Sequence, residues 1–259
     1  MALAPQAQET FTRLFGAPAQ PHPTDPELYE ILQNQIFGEG FSTGVLNDVE
    51  REIITVTALG CLQTLPPLRA HAAAALNVGA TPLQLREALY QCAPYIGYPR
   101  ALNAVAALDE VLTEQGIELP LPDAATVAPD DAEARHSAGA ASQEPLYSSE
   151  IKEVLASLPA PFDAAAPELV TTACFGDYYS RGVLTIAERE IIGLVAITAI
   201  GATAQLGAHI AGAVRAGNSL ERVTAALVQA LPYVGGPRAM SALVLVARYD
   251  ESASHEAYR

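Results

Sequence analysis

Two histidines, His71 and His209, stand at matching positions in a chain that repeats itself at a constant offset of 138 residues. The chain has five histidines, and only these two match across the offset. An imidazole titrates near neutrality, so a matched histidine is suited to proton transfer. Both lie among small neighbours, Arg69-Ala70-His71-Ala72-Ala73 and Gly207-Ala208-His209-Ile210-Ala211, which leave room beside the ring. The plainer account is a buried histidine bonded to a helix end. Its recurrence in both copies raises the weight of the chemical account.

The same offset pairs other groups able to do chemistry. Glu52 and Glu190 each follow an arginine, precede an apolar run and lie 19 residues before their histidine. They read as site carboxylates, as first-turn carboxylates favoured by the helix dipole, or as members of an ion pair. Glu39 and Asp177 follow a shared Phe-Gly, with Gly44 or Gly182 a few residues on. Carboxylates in such turns serve as turn residues or as site residues, and here they are expected to orient the histidines. Arg51 and Arg189, with Arg100 and Arg238, are matched cations in an acidic protein. A guanidinium can hold a substrate carboxylate in a bidentate fork, or it can pair with Glu50, Glu52 or a helix end. Tyr95 and Tyr233 sit in Pro-Tyr-x-Gly-x-Pro-Arg. Each can donate to a developing oxyanion or fill the core as a bonded tyrosine.

The elements that position these groups read as helices. Ala and Leu are abundant, and apolar residues recur every three or four positions. In the first copy helices are expected near 26–38, 48–63, 67–78, 82–95 and 98–115. Gly79 suits a left-handed stop, and Thr81, Pro82 and Gln84 suit a capped restart. Gly217 with Asn218-Ser219 repeats this punctuation. Pro94 and Pro232 are expected to break their helix near its end. The partner of helix 48–63 is almost uniformly apolar from Ile191 to Ile200, so it must be buried on all sides, by the other half or by other chains. A homo-oligomer is therefore expected. Residues 117–146 are rich in Pro, Ala, Asp and Ser and read as a mobile linker. The segment before residue 25 reads as an arm that packs on a neighbour, and the tail after Asp250 as frayed.

Composition sets limits. The 259 residues form two homologous halves, each of roughly 110 residues, a usual domain size. A formal charge of −15 argues against nucleic acid and anionic membranes as partners. The stretch 191–214 lacks formal charge but is interrupted by Thr198, Thr203, Gln205 and His209, so it reads as a buried helix rather than a bilayer span. No basic and apolar leader is seen, and the cytoplasm is the expected location. Cys61, Cys92 and Cys174 do not match across the repeat, make no C-x-x-C and read as small buried hydrophobes. Motifs for metal, nucleotide or a nucleophilic serine are absent, so neither a metal nor another cofactor is expected.

At these residues the chain resembles the carboxymuconolactone decarboxylase family, present as a tandem pair. The resemblance rests on Phe37-Gly38-Glu39 with Gly44-Val45-Leu46, on Arg51 before an apolar helix, on His71 followed by Ala75 to Thr81, and on Tyr95-Ile96-Gly97-Tyr98-Pro99-Arg100-Ala101. It implies an all-α fold of two tandem AhpD-like domains. These are a first over 1–116 including the arm, a linker over 117–146 and a second over 147–259. Single domains of this kind commonly form hexamers, so a trimer of tandem chains is implied. Glu52 and Glu190 match the proton-relay glutamate of the alkylhydroperoxidase-like members. The two cysteine positions of those members hold Thr64 and Pro67 in the first copy, and Ala202 and Gln205 in the second. Without thiols there, cysteine-based peroxide reduction is excluded.

The expected activity is cofactor-free decarboxylation or isomerisation of a small unsaturated carboxylated lactone or related acid. His71 or His209 would be the acid, Tyr95 or Tyr233 the oxyanion donor, and the arginines the carboxylate holders. The alternative is a non-catalytic oligomeric scaffold or small-acid binding protein.

Overall fold

The computed structural model describes residues 3–249. The tail expected to fray lies outside them. Every regular element among the described residues is helical. The first half runs α1 (Pro5–Phe15), α2 (Pro26–Gln33), α3 (Asp48–Leu62), α4 (Leu65–Asn77), α5 (Pro82–Ile96) and α6 (Tyr98–Glu114). Between α2 and α3 the chain coils through a π-helical turn at Asn34–Glu39 and a 3-10 turn at Gly40–Thr43. The second half runs α7 (Ala132–Tyr147), α8 (Glu150–Leu155), α9 (Phe162–Leu169), a π-helical stretch at Val170–Tyr179, α10 (Ile186–Ile200), α11 (Leu206–Arg215), α12 (Leu220–Val234) and α13 (Gly236–Ala247).

Local chemistry sets the helix starts. Asn47 with Glu50, Thr81 with Gln84 and Thr185 with Glu188 form reciprocal capping boxes at α3, α5 and α10. Such a cap is worth about 1 kcal/mol. Pro94 and Pro232 do not break their helices. α5 continues to Ile96 and α12 to Val234, and each stops at a glycine of positive φ, Gly97 at +79° and Gly235 at +87°. A proline one turn from the end removes one hydrogen bond that the last turn tolerates; the glycine is the terminator.

The halves share one core. α3 and α10 pack on each other, α10 also on α5, and α3 also on α12. The uniformly apolar run of α10 is thus covered within the chain. The contact is reciprocal in its polar pairs: Arg51 donates to Gln229 at 2.8 Å and Arg189 to Gln91 at 3.0 Å. Within the stretch 191–214 the helix α10 ends at Gly201 in a left-handed turn, and no described helix is long and apolar enough to cross a membrane.

Two segments differ from expectation. The N-terminal arm contains α1, which folds onto its own half, with Ala7 and Leu14 fully buried against the π-helical turn and α4. The segment expected as a linker contains most of α7, which packs on the π-helical stretch and α11. α7 buries few large side chains. A Cβ on Gly139 would stand 2.1 Å from the Thr171 carbonyl oxygen, and one on Gly176 2.3 Å from that of Arg135. The backbones meet directly, a contact that leaves no apolar periodicity to read. α7 is the second half's copy of α1: Ala7, Leu14 and Phe15 correspond to Gly139, Leu146 and Tyr147 at an offset of 132, not 138. Gly16 and Ser148, which follow them, both have positive φ, 74° and 47°.

Candidate functional site

In the first half α3 delivers Glu52, fully buried, and α4 delivers His71, 7% exposed. His71 Nδ1 lies 2.7 Å from Glu52 Oε2. An ionised carboxylate only accepts, so Nδ1 carries the proton and the lone pair of the neutral ring sits on Nε2. The ring is packed by Phe15, Phe37 and Tyr233, with centroids at 5.6, 6.4 and 5.5 Å. Tyr233 comes from α12 of the other half. Burial first, and then the Glu52 charge, pushes its hydroxyl far above the usual range, so it stays a neutral donor. Glu52 Oε1 and Tyr233 Oη are both buried and make no hydrogen bond.

The second half wires the same groups differently. Glu190, from α10, is fully buried and accepts from two tyrosine hydroxyls, Tyr147 to Oε2 and Tyr179 to Oε1, each at 2.6 Å. Tyr147 has one proton and gives it to the carboxylate, so at 3.0 Å it accepts from His209 Nδ1. His209 itself is 3.8 Å from Glu190 Oε2. By the same proton count Tyr95, from α5 of the first half, donates to Tyr179 at 3.0 Å. Its ring lies 5.6 Å from that of His209. Burial raises the Tyr95 and Tyr179 hydroxyls well above their usual range. Two glycines make room. A Cβ on Gly193 would lie 2.4 Å from the Tyr95 hydroxyl, and one on Gly212 2.5 Å from that of Tyr147. Their first-half counterparts are Thr55 and Ala74.

The matched pairs divide. Glu52 and Glu190 join the histidines. Glu39 is exposed and does not reach His71, and Asp177 is held by Arg135 through two bonds of 2.6 Å. The orienting role expected of Glu39 and Asp177 thus falls to Glu52 and, through Tyr147, to Glu190. The tyrosines are exchanged relative to expectation: Tyr233 packs on His71 and Tyr95 on His209. Arg51 is buried and spends its donors on Leu46, Gly40, Phe41, Thr43 and Gln229. Arg189 is likewise buried, among Gln91, Glu87 and the carbonyls of Arg181 and Gly182. Arg100 is exposed, and Arg238 is exposed and donates to the Ala199 carbonyl. A cavity of about 380 Å³ opens beside Asp177, Arg181 and Tyr90 rather than beside His209. Cys61 and Cys92 are buried, and burial carries the half-buried Cys174 thiol to about 12.

Sequence reading missed Tyr147 and Tyr179. Tyr179 had a visible signal, since it matches Phe41 at the common offset. Tyr147 was hidden by the slip to the second offset.

Fold and site together define an all-helical duplicated protein with a buried carboxylate–imidazole site in each half. The model of the carboxymuconolactone decarboxylase family matches residues 26–110 and 164–248, two segments in the register of the repeat, and the chain belongs to that family. Membership supports a function of the carboxymuconolactone decarboxylase or AhpD kind in general. No curated protein matches the chain significantly.

Proposed function

We propose that the chain is a cytoplasmic, cofactor-independent carboxy-lyase or isomerase of a small unsaturated carboxylated lactone or related acid, and that His71 moves the proton. The observation that carries this reading is the buried 2.7 Å contact between His71 Nδ1 and Glu52. It fixes the tautomer and leaves Nε2 to exchange a proton with carbon. Loss of CO2 from a carbon conjugated to a carbonyl leaves an extended enolate, which needs an acid for carbon and a donor for oxygen. His71 supplies the first by passing to carbon a proton that Nε2 takes up from solvent, and the neutral Tyr233 hydroxyl beside it supplies the second. A second reading, a binding or scaffold role, fits the second half alone, because its carboxylate is already taken up by two tyrosines.

We also propose that the chain assembles as a trimer. Exposed apolar residues recur at matched positions, Leu102 with Met240 and Ile31 with Leu169, as repeated contacts in a closed ring require.

The test is incubation of the purified chain with γ-carboxymuconolactone, without metal or thiol, following CO2 and the enol-lactone product. Turnover is expected, and the double variant His71→Ala, His209→Ala is expected to lose about 10²-fold or more. Unchanged turnover in that variant defeats the proposal.

A further inference from the structure

The two halves differ at one hydroxyl that bridges a carboxylate and a tyrosine. In the second half the Tyr179 hydroxyl donates to Glu190 Oε1 at 2.6 Å and lies 3.0 Å from the Tyr95 hydroxyl. The residue matching Tyr179 in the first half is Phe41. Phenylalanine brings no hydroxyl, and its ring lies against the Arg51 guanidinium, 4.7 Å from centroid to carbon. The two groups that Tyr179 joins in the second half correspond to Glu52 and Tyr233 in the first. Those are the groups left without a hydrogen bond: Glu52 Oε1 and Tyr233 Oη are both buried and unpartnered. Thr55 is the polar neighbour of the Tyr233 hydroxyl, but the two do not reach hydrogen-bonding geometry. Leaving a buried acceptor or donor unpaired costs about 1–3 kcal/mol, so two such atoms around one histidine call for a common partner.

We infer that the first half holds a hydroxyl-binding slot between Glu52 Oε1 and Tyr233 Oη, which the second half has filled with the side chain of Tyr179. Charge fixes what the slot accepts. Glu52 needs a donor, and Tyr233, with its own proton to give, needs an acceptor. A neutral O–H group meets both demands. Water and an alcohol-type hydroxyl share this chemistry. The group so bound sits beside the Glu52–His71 pair. The first half is thus the open one, and the second half carries an internal plug. Only the effect on turnover rests on the reading under "Proposed function"; the slot itself does not.

Reciprocal exchange of the two aromatic residues tests the slot. Phe41→Tyr is expected to place a hydroxyl between Glu52 and Tyr233 and to raise the melting temperature by about 2–4 °C. Tyr179→Phe is expected to lower it by a similar amount and to admit an ordered oxygen between Glu190 Oε1 and Tyr95 Oη. A crystal structure of the unaltered chain should show an oxygen within hydrogen-bond distance of both Glu52 Oε1 and Tyr233 Oη. In a crystal soaked in ethanol, density that extends from that oxygen to carbon identifies a slot for alcohol-type hydroxyls; a single oxygen identifies a water slot. No oxygen there in either crystal, or a melting temperature that Phe41→Tyr leaves unchanged or lowers while Tyr179→Phe stays neutral, overturns the inference. Turnover is a separate readout. A filled slot in a chain that never turns over γ-carboxymuconolactone defeats the decarboxylase reading alone.

Discussion

Glu52 meets a histidine, whereas Glu190 meets two tyrosines and reaches its histidine through one of them. From α3 to α6 and from α10 to α13 the two halves run through the same order of helices. The change in wiring comes from two aromatic pairs, Phe15 with Tyr147 and Phe41 with Tyr179, plus two positions cleared to glycine, Gly193 and Gly212. Gly212 leaves room for the Tyr147 hydroxyl, and Gly193 for the Tyr95 hydroxyl that meets Tyr179. One copy thus has a bare carboxylate–imidazole pair, and in the other the carboxylate is a fully bonded core group.

The largest expected contrast is catalytic. His71→Ala should cost about 10²-fold or more in turnover, the range for loss of a general acid, while His209→Ala should stay within about twofold of the unaltered chain on the same scale. Equal losses in steady-state assays would remove the distinction between an open half and a plugged half.

A stability contrast follows from how each half holds its buried arginine. Arg51 is held by carbonyls, Thr43 and the neutral Gln229. Arg189 lies beside Glu87, which also receives two bonds from Arg181, at 2.8 and 2.9 Å, and a longer one from Arg86. Glu87→Ala strands buried positive charge and should cost about 3–5 kcal/mol. Gln229→Ala removes one neutral acceptor from a guanidinium that keeps its bonds to Leu46, Gly40, Phe41 and Thr43, and should cost about 1–3 kcal/mol. Urea unfolding of both variants measures the difference, and indistinguishable midpoints would show that the charge is not what separates them.

Alkali gives the smallest effect. Around Glu190, burial raises Tyr95 and Tyr179 and carries the Cys174 thiol to about 12, whereas the raised group beside Glu52 is Tyr233. A neutral acid with a raised folded pKa contributes stability that is whole below its unfolded value and is lost as pH climbs through the folded one. For Cys174 the window runs from about pH 8.5, the free thiol value, to about 12. Melting temperature should fall across it, and Cys174→Ala should flatten the fall. Rapid alkylation of Cys174 in the folded chain at pH 8 would contradict the shift.

Much of this was legible in the sequence where side chains carry the signal. The offset of 138 exposed His71, Glu52 and their partners, and Thr81-Pro82 with Gln84 marked a helix start to the residue. Other features were not legible, for physical reasons. α7 packs through the backbones at Gly139 and Gly176, and contacts between backbones leave no hydrophobic pattern. Tyr147 belongs to a second register, because the connection holding α8 is longer than its counterpart. Spacing alone says nothing about which half a side chain faces, so the exchange of Tyr95 and Tyr233 needed the fold.

That exchange has a historical consequence. Each half lends a tyrosine to the other's histidine and a glutamine to the other's arginine, the reciprocity of a two-fold dimer. A single-repeat chain of this architecture completes its sites only by meeting a second copy. Fusion turned that encounter into an intramolecular one, independent of dilution. It also gave the two partners separate coding positions, so that their aromatic residues could differ.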